Sequence, residues 1–263
     1  MIGHRGAAAC APENTLAGLR QAKALGCNWV EFDVRLTGDD RPVLLHDSRV
    51  ERTTDGRGRV GALSLAEVRR YDAGNWFDPS FVGERVPKLE EALALLAELG
   101  LGANVELKAA RGKAAATGAL VSDALVRNWP ADPARLLISS FQRSALAGAR
   151  DHAPHIARGI LFRRVPKTWS KIAALLGCAT IHADHQRLSL ATVLEIRRAG
   201  YPVLAYTVND PARAQTLLDW GVTSVFSDVP HRLQGLAAVC GGGCPAIMAD
   251  PASAALPRQE SSW

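Results

Sequence analysis

The chain has 263 residues, of which 48% are hydrophobic, and carries a net charge of +5. That length suits one large α/β domain whose core needs no disulfide staples, and no run approaches the ~18 apolar residues of a membrane span. The mild positive charge favours anionic substrates, but the arginines are scattered without interleaved aromatics, which argues against a nucleic-acid partner.

Short apolar runs alternate with amphipathic ones. Ile2 and its neighbours read as a first strand, ending at Gly3-His4-Arg5-Gly6. Pro12-Glu13-Asn14-Thr15 follows, with Asn14 or Thr15 capping a helix over 15–25. Residues 29–34 form the next strand. Side chains alternate along it, so Glu31 and Asp33 share one face while Val30, Phe32 and Val34 share the other. A short strand at 42–45 runs into His46-Asp47. Residues 48–87 are too long for an ordinary connection and read as a small insertion over the mouth of the fold.

A helix at 89–99 leads to a strand at 103–107, where Asn104, Glu106 and Lys108 align as Glu31 and Asp33 do. Strands are then expected at 136–139, 158–162, 180–182, 203–208 and 224–227. Helices are expected at 113–127, 144–150, 171–176, 190–199 and 211–220. Ser189 and Asp210-Pro211 start the last two helices, and Gly26, Gly100, Gly200 and Gly221 sit where helices stop. About eight strand–helix units predict a (β/α)8 TIM barrel spanning residues 1–238, with a doubly wound open sheet as the alternative. Residues 239–263, with Gly241-Gly242-Gly243 and no periodicity, read as a disordered tail.

Two carboxylates pointing together into a barrel repel and lose solvation, and a divalent cation offsets both costs. Glu31, Asp33 and Glu106 therefore read as a metal site. Their hard oxygens favour Mg²⁺ or Ca²⁺ over Zn²⁺. His4 and His46, at strand ends facing these acids, supply a proton acceptor and a proton donor. Arg5 offers a bidentate fork to phosphate oxygens and Lys108 a point charge. Glu13 either orients Arg5 or the metal site, or merely begins a helix. His182 and Tyr206 face the mouth as substrate contacts or serve as packing. His152, His155 and His231 read as surface residues, and the five cysteines, lacking CxxC pairs, as buried or incidental thiols. No charged leader followed by an apolar stretch opens the chain, so the expected location is cytoplasmic. Oligomeric state is left open.

The motifs His4-Arg5-Gly6, Pro12-Glu13-Asn14-Thr15, Glu31-Phe32-Asp33-Val34, His46-Asp47, Arg52-Thr53-Thr54, Glu106-Leu107-Lys108, Ser140-Phe141 and Tyr206-Thr207-Val208-Asn209 occur in an order and spacing that resembles the glycerophosphodiester phosphodiesterase family over residues 3–235. The segment from Leu176 to His182, with Tyr206, is similar to its cytosolic bacterial branch. The resemblance implies a TIM barrel with an insertion after the second strand and one divalent cation on Glu31, Asp33 and Glu106. It implies His4 and His46 as the acid–base pair, and a small-molecule glycerophosphodiester as substrate without stable membrane association. The implied products are sn-glycerol 3-phosphate and an alcohol, by way of a cyclic phosphate if the glycerol 2-hydroxyl attacks first. Only Met1-Ile2-Gly3 precede the first motif, so either the first strand is cut short or the start lies upstream. A phosphate-ester-binding protein without turnover, and a phospholipase-like relative on the same barrel, are the other readings.

Overall fold

The computed structural model describes residues 1–237, and the expected tail at 239–263 lies outside them. In chain order the elements are β1 Ile2–Gly3, α1 Leu16–Ala24, β2 Trp29–Leu36, β3 Pro42–Leu44, α2 Leu65–Val68, α3 Leu89–Leu99, β4 Gly102–Leu107, α4 Ala114–Asn128, β5 Leu136–Ser140, α5 Arg143–His152, β6 Ala157–Phe162, α6 Trp169–Leu176, β7 Thr180–Asp184, α7 Leu190–Arg198, β8 Val203–Tyr206, α8 Pro211–Asp219, β9 Ser224–Ser227 and α9 Gln234–Ala237. Eight strands pair in parallel around a closed ring, β1-β9-β8-β7-β6-β5-β4-β2, with β2 returning to β1. This is a (β/α)8 barrel. The strand expected at 42–45 lies outside the ring: β3 runs antiparallel along β2, Val34 opposite Leu44, as a hairpin extension.

The seam is short and paired on both sides. Ile2 sits opposite Trp29 on β2 and Phe226 on β9, and Gly3 opposite Val30 and Ser227. Outward-facing Val30, Phe32, Val34 and Val105 pack with Leu19, Leu93 and Leu96 of the surrounding helices in the main core. Each such side chain removed from water contributes about 1.5–3 kcal/mol. The inner layer is smaller, built on Ile2, Leu204 and Phe226. It closes the floor of the barrel and leaves the carboxyl ends of the strands open, which is where side chains of this fold carry chemistry.

Helix ends follow the expected punctuation. Thr15 caps α1 by accepting from the Gly18 N–H, Ser189 caps α7 and Asp210 caps α8. Helices α4 and α5 meet at two glycines. A Cβ on Gly118 would stand 2.0 Å from the Ala145 carbonyl oxygen, and one on Gly148 would stand 2.2 Å from that of Ala115. β3 and the stretch between it and α3 share a separate core of Val43, Leu45, Val50, Val60, Val68, Ala73 and Val86. Arg69 ties it to the barrel through a two-pronged pair with Glu91, at 2.7 and 2.9 Å.

Cys27 and Cys178 are buried and Cys10 is half-buried, all free thiols, while Cys240 and Cys244 lie outside the described residues. Among the described residues no helix is long and apolar enough to cross a membrane.

Candidate active site

Residue parity along the parallel strands decides what enters the mouth. Asp33 lies opposite Glu106 and Glu31 opposite Asn104 in the β2–β4 register, and all four side chains turn inward and are buried. One oxygen from each of Glu31, Asp33 and Glu106 lies within 4.8 Å of the others. Burial, with Asp33 and Glu106 nearby, pushes the Glu31 carboxyl well above its ordinary range. Asp33 is driven the other way: burial opposes its charge, but Lys108, Arg5, His46 and Asn14 outweigh it. Glu31 Oε1 and Asn104 Oδ1 are buried with no hydrogen-bond partner. A buried acid cluster with an orphaned carboxylate oxygen fits a divalent cation held by oxygen ligands.

The β1–α1 loop delivers one cation, Arg5, and the end of β4 the other, Lys108. Arg5, at φ 49°, donates its backbone N–H to Glu31 Oε2 at 2.9 Å; its Nη1 donates to Glu13 Oε1 at 2.8 Å and its Nε lies 3.3 Å from Asp33. Gly6, at φ 88°, lets this loop lie against α1, because a Cβ there would meet the Gly18 carbonyl carbon at 2.5 Å. Lys108 Nζ lies 2.6 Å from Glu106 Oε1 and 3.3 Å from Asp33 Oδ1.

Each candidate imidazole is anchored by a carboxylate. His4 Nδ1 is 2.6 Å from Asp228 Oδ1, and its Nε2 points towards Glu31, 3.8 Å away. Burial works against its charged form, but the Asp228 hydrogen bond and Glu31 overcome this and raise it. His46 Nδ1 is 2.7 Å from Asp47 Oδ1, and Asp47 Oδ2 accepts from Arg52 Nε at 2.5 Å. Burial lowers His46 and Arg5 and Lys108 add to this, with Asp33 and Asp47 opposing.

These groups open on a cavity of about 470 Å³, lined by His4, Arg5, Glu31, His46, Asn104, Glu106 and Lys108 together with Phe141, Leu161, Arg163, Tyr206, Thr207 and Phe226. Tyr206 lines it as expected, though its hydroxyl is committed to the Phe162 carbonyl at 2.9 Å. Glu13 does not line it. Glu13 stands behind Arg5, held as a carboxylate between Arg5 and Arg52.

His182 departs from the expectation of a substrate contact. It is one layer below the cavity, opposite Leu204 in register and fully buried, with Nε2 2.9 Å from Thr180 Oγ1 and its ring 5.3 Å from that of Phe226. Burial alone pushes it down to about 3, so it is a neutral packing residue.

Three contributors were not singled out by sequence. Asn14, expected as a helix cap, is buried at φ 56° and grips Asp33 from both sides: Nδ2 donates to Oδ2 at 2.9 Å, and Oδ1 accepts the Asp33 N–H at 3.0 Å. Asp228, the residue just after β9, is the second, and it anchors the His4 ring. Arg35 continues the parity of Glu31 and Asp33, so the same alternation could have found it. Its Nε donates to the His46 carbonyl at 2.8 Å and its Nη1 to that of Lys108 at 3.1 Å, joining two loops that carry site residues.

Comparison with known proteins adds an independent line. The profile of the Glycerophosphoryl diester phosphodiesterase family matches residues 4–232. A solved structure of an Oleispira antarctica phosphodiesterase in complex with the product sn-glycerol-3-phosphate superposes with a TM-score of 0.87 at 41% identity, covering 90% of this chain and 96% of that one. A glycerophosphodiester phosphodiesterase of Caldanaerobacter subterraneus is 30% identical over 242 residues, 90% of this chain and 96% of its own. One from Bacillus subtilis is 30% identical over 249 residues, 87% and 83% respectively.

Proposed function

Since this chain belongs to the glycerophosphoryl diester phosphodiesterase family, and is accordingly a phosphodiester hydrolase, we propose that it converts glycerophosphodiesters and water to sn-glycerol 3-phosphate and an alcohol, using one divalent cation, Mg²⁺ or Ca²⁺, at Glu31, Asp33 and Glu106. The observation that carries the reading is the buried acid trio with an unpartnered oxygen, flanked by two imidazoles that are each fixed through Nδ1 by a carboxylate. Such a bond sets the tautomer and aims Nε2 into the cavity. The Oleispira neighbour's complex with sn-glycerol-3-phosphate agrees with a cavity of this type taking a glycerol phosphate.

Arg5 and Lys108, each already fixed by carboxylates, present their remaining N–H groups to the phosphate oxygens and hold the phosphorus between the imidazoles. One imidazole takes the proton of the attacking hydroxyl and the other gives a proton to the departing alkoxide oxygen. If the attacker is the 2-hydroxyl of the glycerol, the first product is a cyclic phosphate, which water opens with the two proton roles exchanged. The bound cation would neutralise charge developing on the phosphoryl oxygens. Glu13, Asp47, Arg52 and Asp228 touch no substrate; they keep Arg5 and the two rings in place.

The test is release of glycerol 3-phosphate from glycerophosphocholine by the purified protein with Mg²⁺ or Ca²⁺, with and without EDTA. Turnover should vanish on chelation and return with either cation. His46→Ala should lower kcat by about a hundredfold or more with little change in KM. Turnover that survives complete metal removal contradicts the role given to the acid trio.

A further inference from the structure

The ring order puts β6 directly across the barrel from β1, so the residue that follows β6 faces His4 and Arg5 over the cavity. That residue is Arg163. Parity turns it inward with Gly159, whose side-chain position faces the His182 ring inside the barrel, and with Leu161, which lines the cavity beside it. The near wall is dense with charges that already neutralise one another: Arg5 with Glu13 and Asp33, and Lys108 with Glu106 and Asp33. Apart from the acids, the two imidazoles, Arg5 and Lys108, Arg163 is the one charged lining residue, and the rest of the lining beside Asn104 is Phe141, Leu161, Tyr206, Thr207 and Phe226. Its exposed guanidinium makes no hydrogen bond or ion pair among the described residues. Asp184, the acid opposite Tyr206 at the rim, is occupied by the Gln186 N–H at 2.9 Å and by Arg187 at 3.6 Å. Arg164 and Lys167 follow Arg163 on the same loop with no acid between them, so the local field is positive.

A phosphodiester anchored at Arg5 and Lys108 has two arms. The glycerol arm brings its hydroxyls to the acid trio, and the other arm crosses to the far wall. There a quaternary ammonium would want an open aromatic face. The Phe141 ring already has Lys108 Nζ 5.6 Å from its centroid and packs edge-on against Tyr206. We propose that Arg163 makes this enzyme favour glycerophosphodiesters whose alcohol carries a negative charge, such as a second phosphate, over those with a cationic alcohol such as choline. This rests on the phosphodiesterase reading given above and names the substrate class within it.

The experiment is kcat/KM, with the metal-loaded full chain, for bis(glycerophospho)glycerol, glycerophosphoglycerol and glycerophosphocholine, which are anionic, neutral and cationic in the alcohol. The wild type should rank them in that order, and its preference for the anionic over the cationic substrate should shrink as ionic strength rises. Arg163→Ala should cut that preference about fivefold, through KM, while Arg163→Lys keeps most of it. A wild type without the ranking, or an Arg163→Ala ratio equal to wild type, overturns the proposal. So does an equal loss on all three substrates, which would put Arg163 against the shared glycerol arm. A wild type that hydrolyses none of the three overturns the phosphodiesterase reading itself.

Discussion

The two imidazoles sit in unlike surroundings, and the difference comes from single side chains. His4 is raised because Asp228 and Glu31 outweigh its burial, whereas His46 is lowered by burial beside two cations. Asp228→Asn keeps the shape but removes the charge. The His4 pKa should fall, the limb of the kcat/KM–pH profile that His4 controls should move to lower pH, and kcat should drop by roughly 10²-fold with KM nearly unchanged. A profile superposable on wild type would remove His4 from the titrating pair. Much at this scale was legible beforehand. Strand alternation placed Glu31, Asp33, Glu106 and Lys108 on one wall, and the structure brings all four together. Asn14 was not legible, because its residue type is equally suited to capping a helix, and only the fold shows its amide wrapped around Asp33. His182 shares the inward parity of the site residues, and parity cannot tell the floor of a barrel from its mouth.

Elements were read more securely than their roles. Seven connecting helices and the eight ring strands lie where the apolar periodicity put them, since each must cover one side of the same sheet. The strand at 42–45 looked like the others because three buried residues carry no mark of direction; only its pairing with β2 reveals the reversal. The α4–α5 contact was also invisible in advance, as glycine inside a helix reads as a weakness. Here two glycines let the helix backbones touch. Gly148→Ala should therefore lower the global stability by about 1–3 kcal/mol in urea unfolding, in spite of alanine's better helix propensity. A stabilised variant would mean that the helices separate at no cost.

Across the whole molecule, the proposed cation site would tie folding to cation binding through Glu31. Its carboxyl is raised in the folded protein to about 8, from an ordinary value of 4.5. The proton is thus held more tightly in the folded state. Stability is undiminished below the ordinary value, declines as pH climbs through the interval, and its loss is complete above the raised value. Metal-free protein should accordingly show a lower Tm at pH 8 than at pH 6, and added Mg²⁺ or Ca²⁺ should raise Tm more at pH 8, because the cation takes the place of the proton. A Tm gain independent of pH would separate Glu31 from the cation. Glu31→Gln should flatten the metal-free pH dependence and remove the cation-induced gain.

The bond between His4 and Asp228 joins the first strand to the residue just after the last one, at the seam where the ring shuts. During synthesis the imidazole emerges at the first strand of the barrel and its anchoring carboxylate just after the last. A nascent polypeptide on the ribosome therefore carries both histidines, the acid trio, Arg5 and Lys108 from the end of β4 onwards, while one ring still lacks its anchor until β9 has been passed. With His4 in its proposed role, competence for catalysis arrives late, in the same event that completes the cylinder.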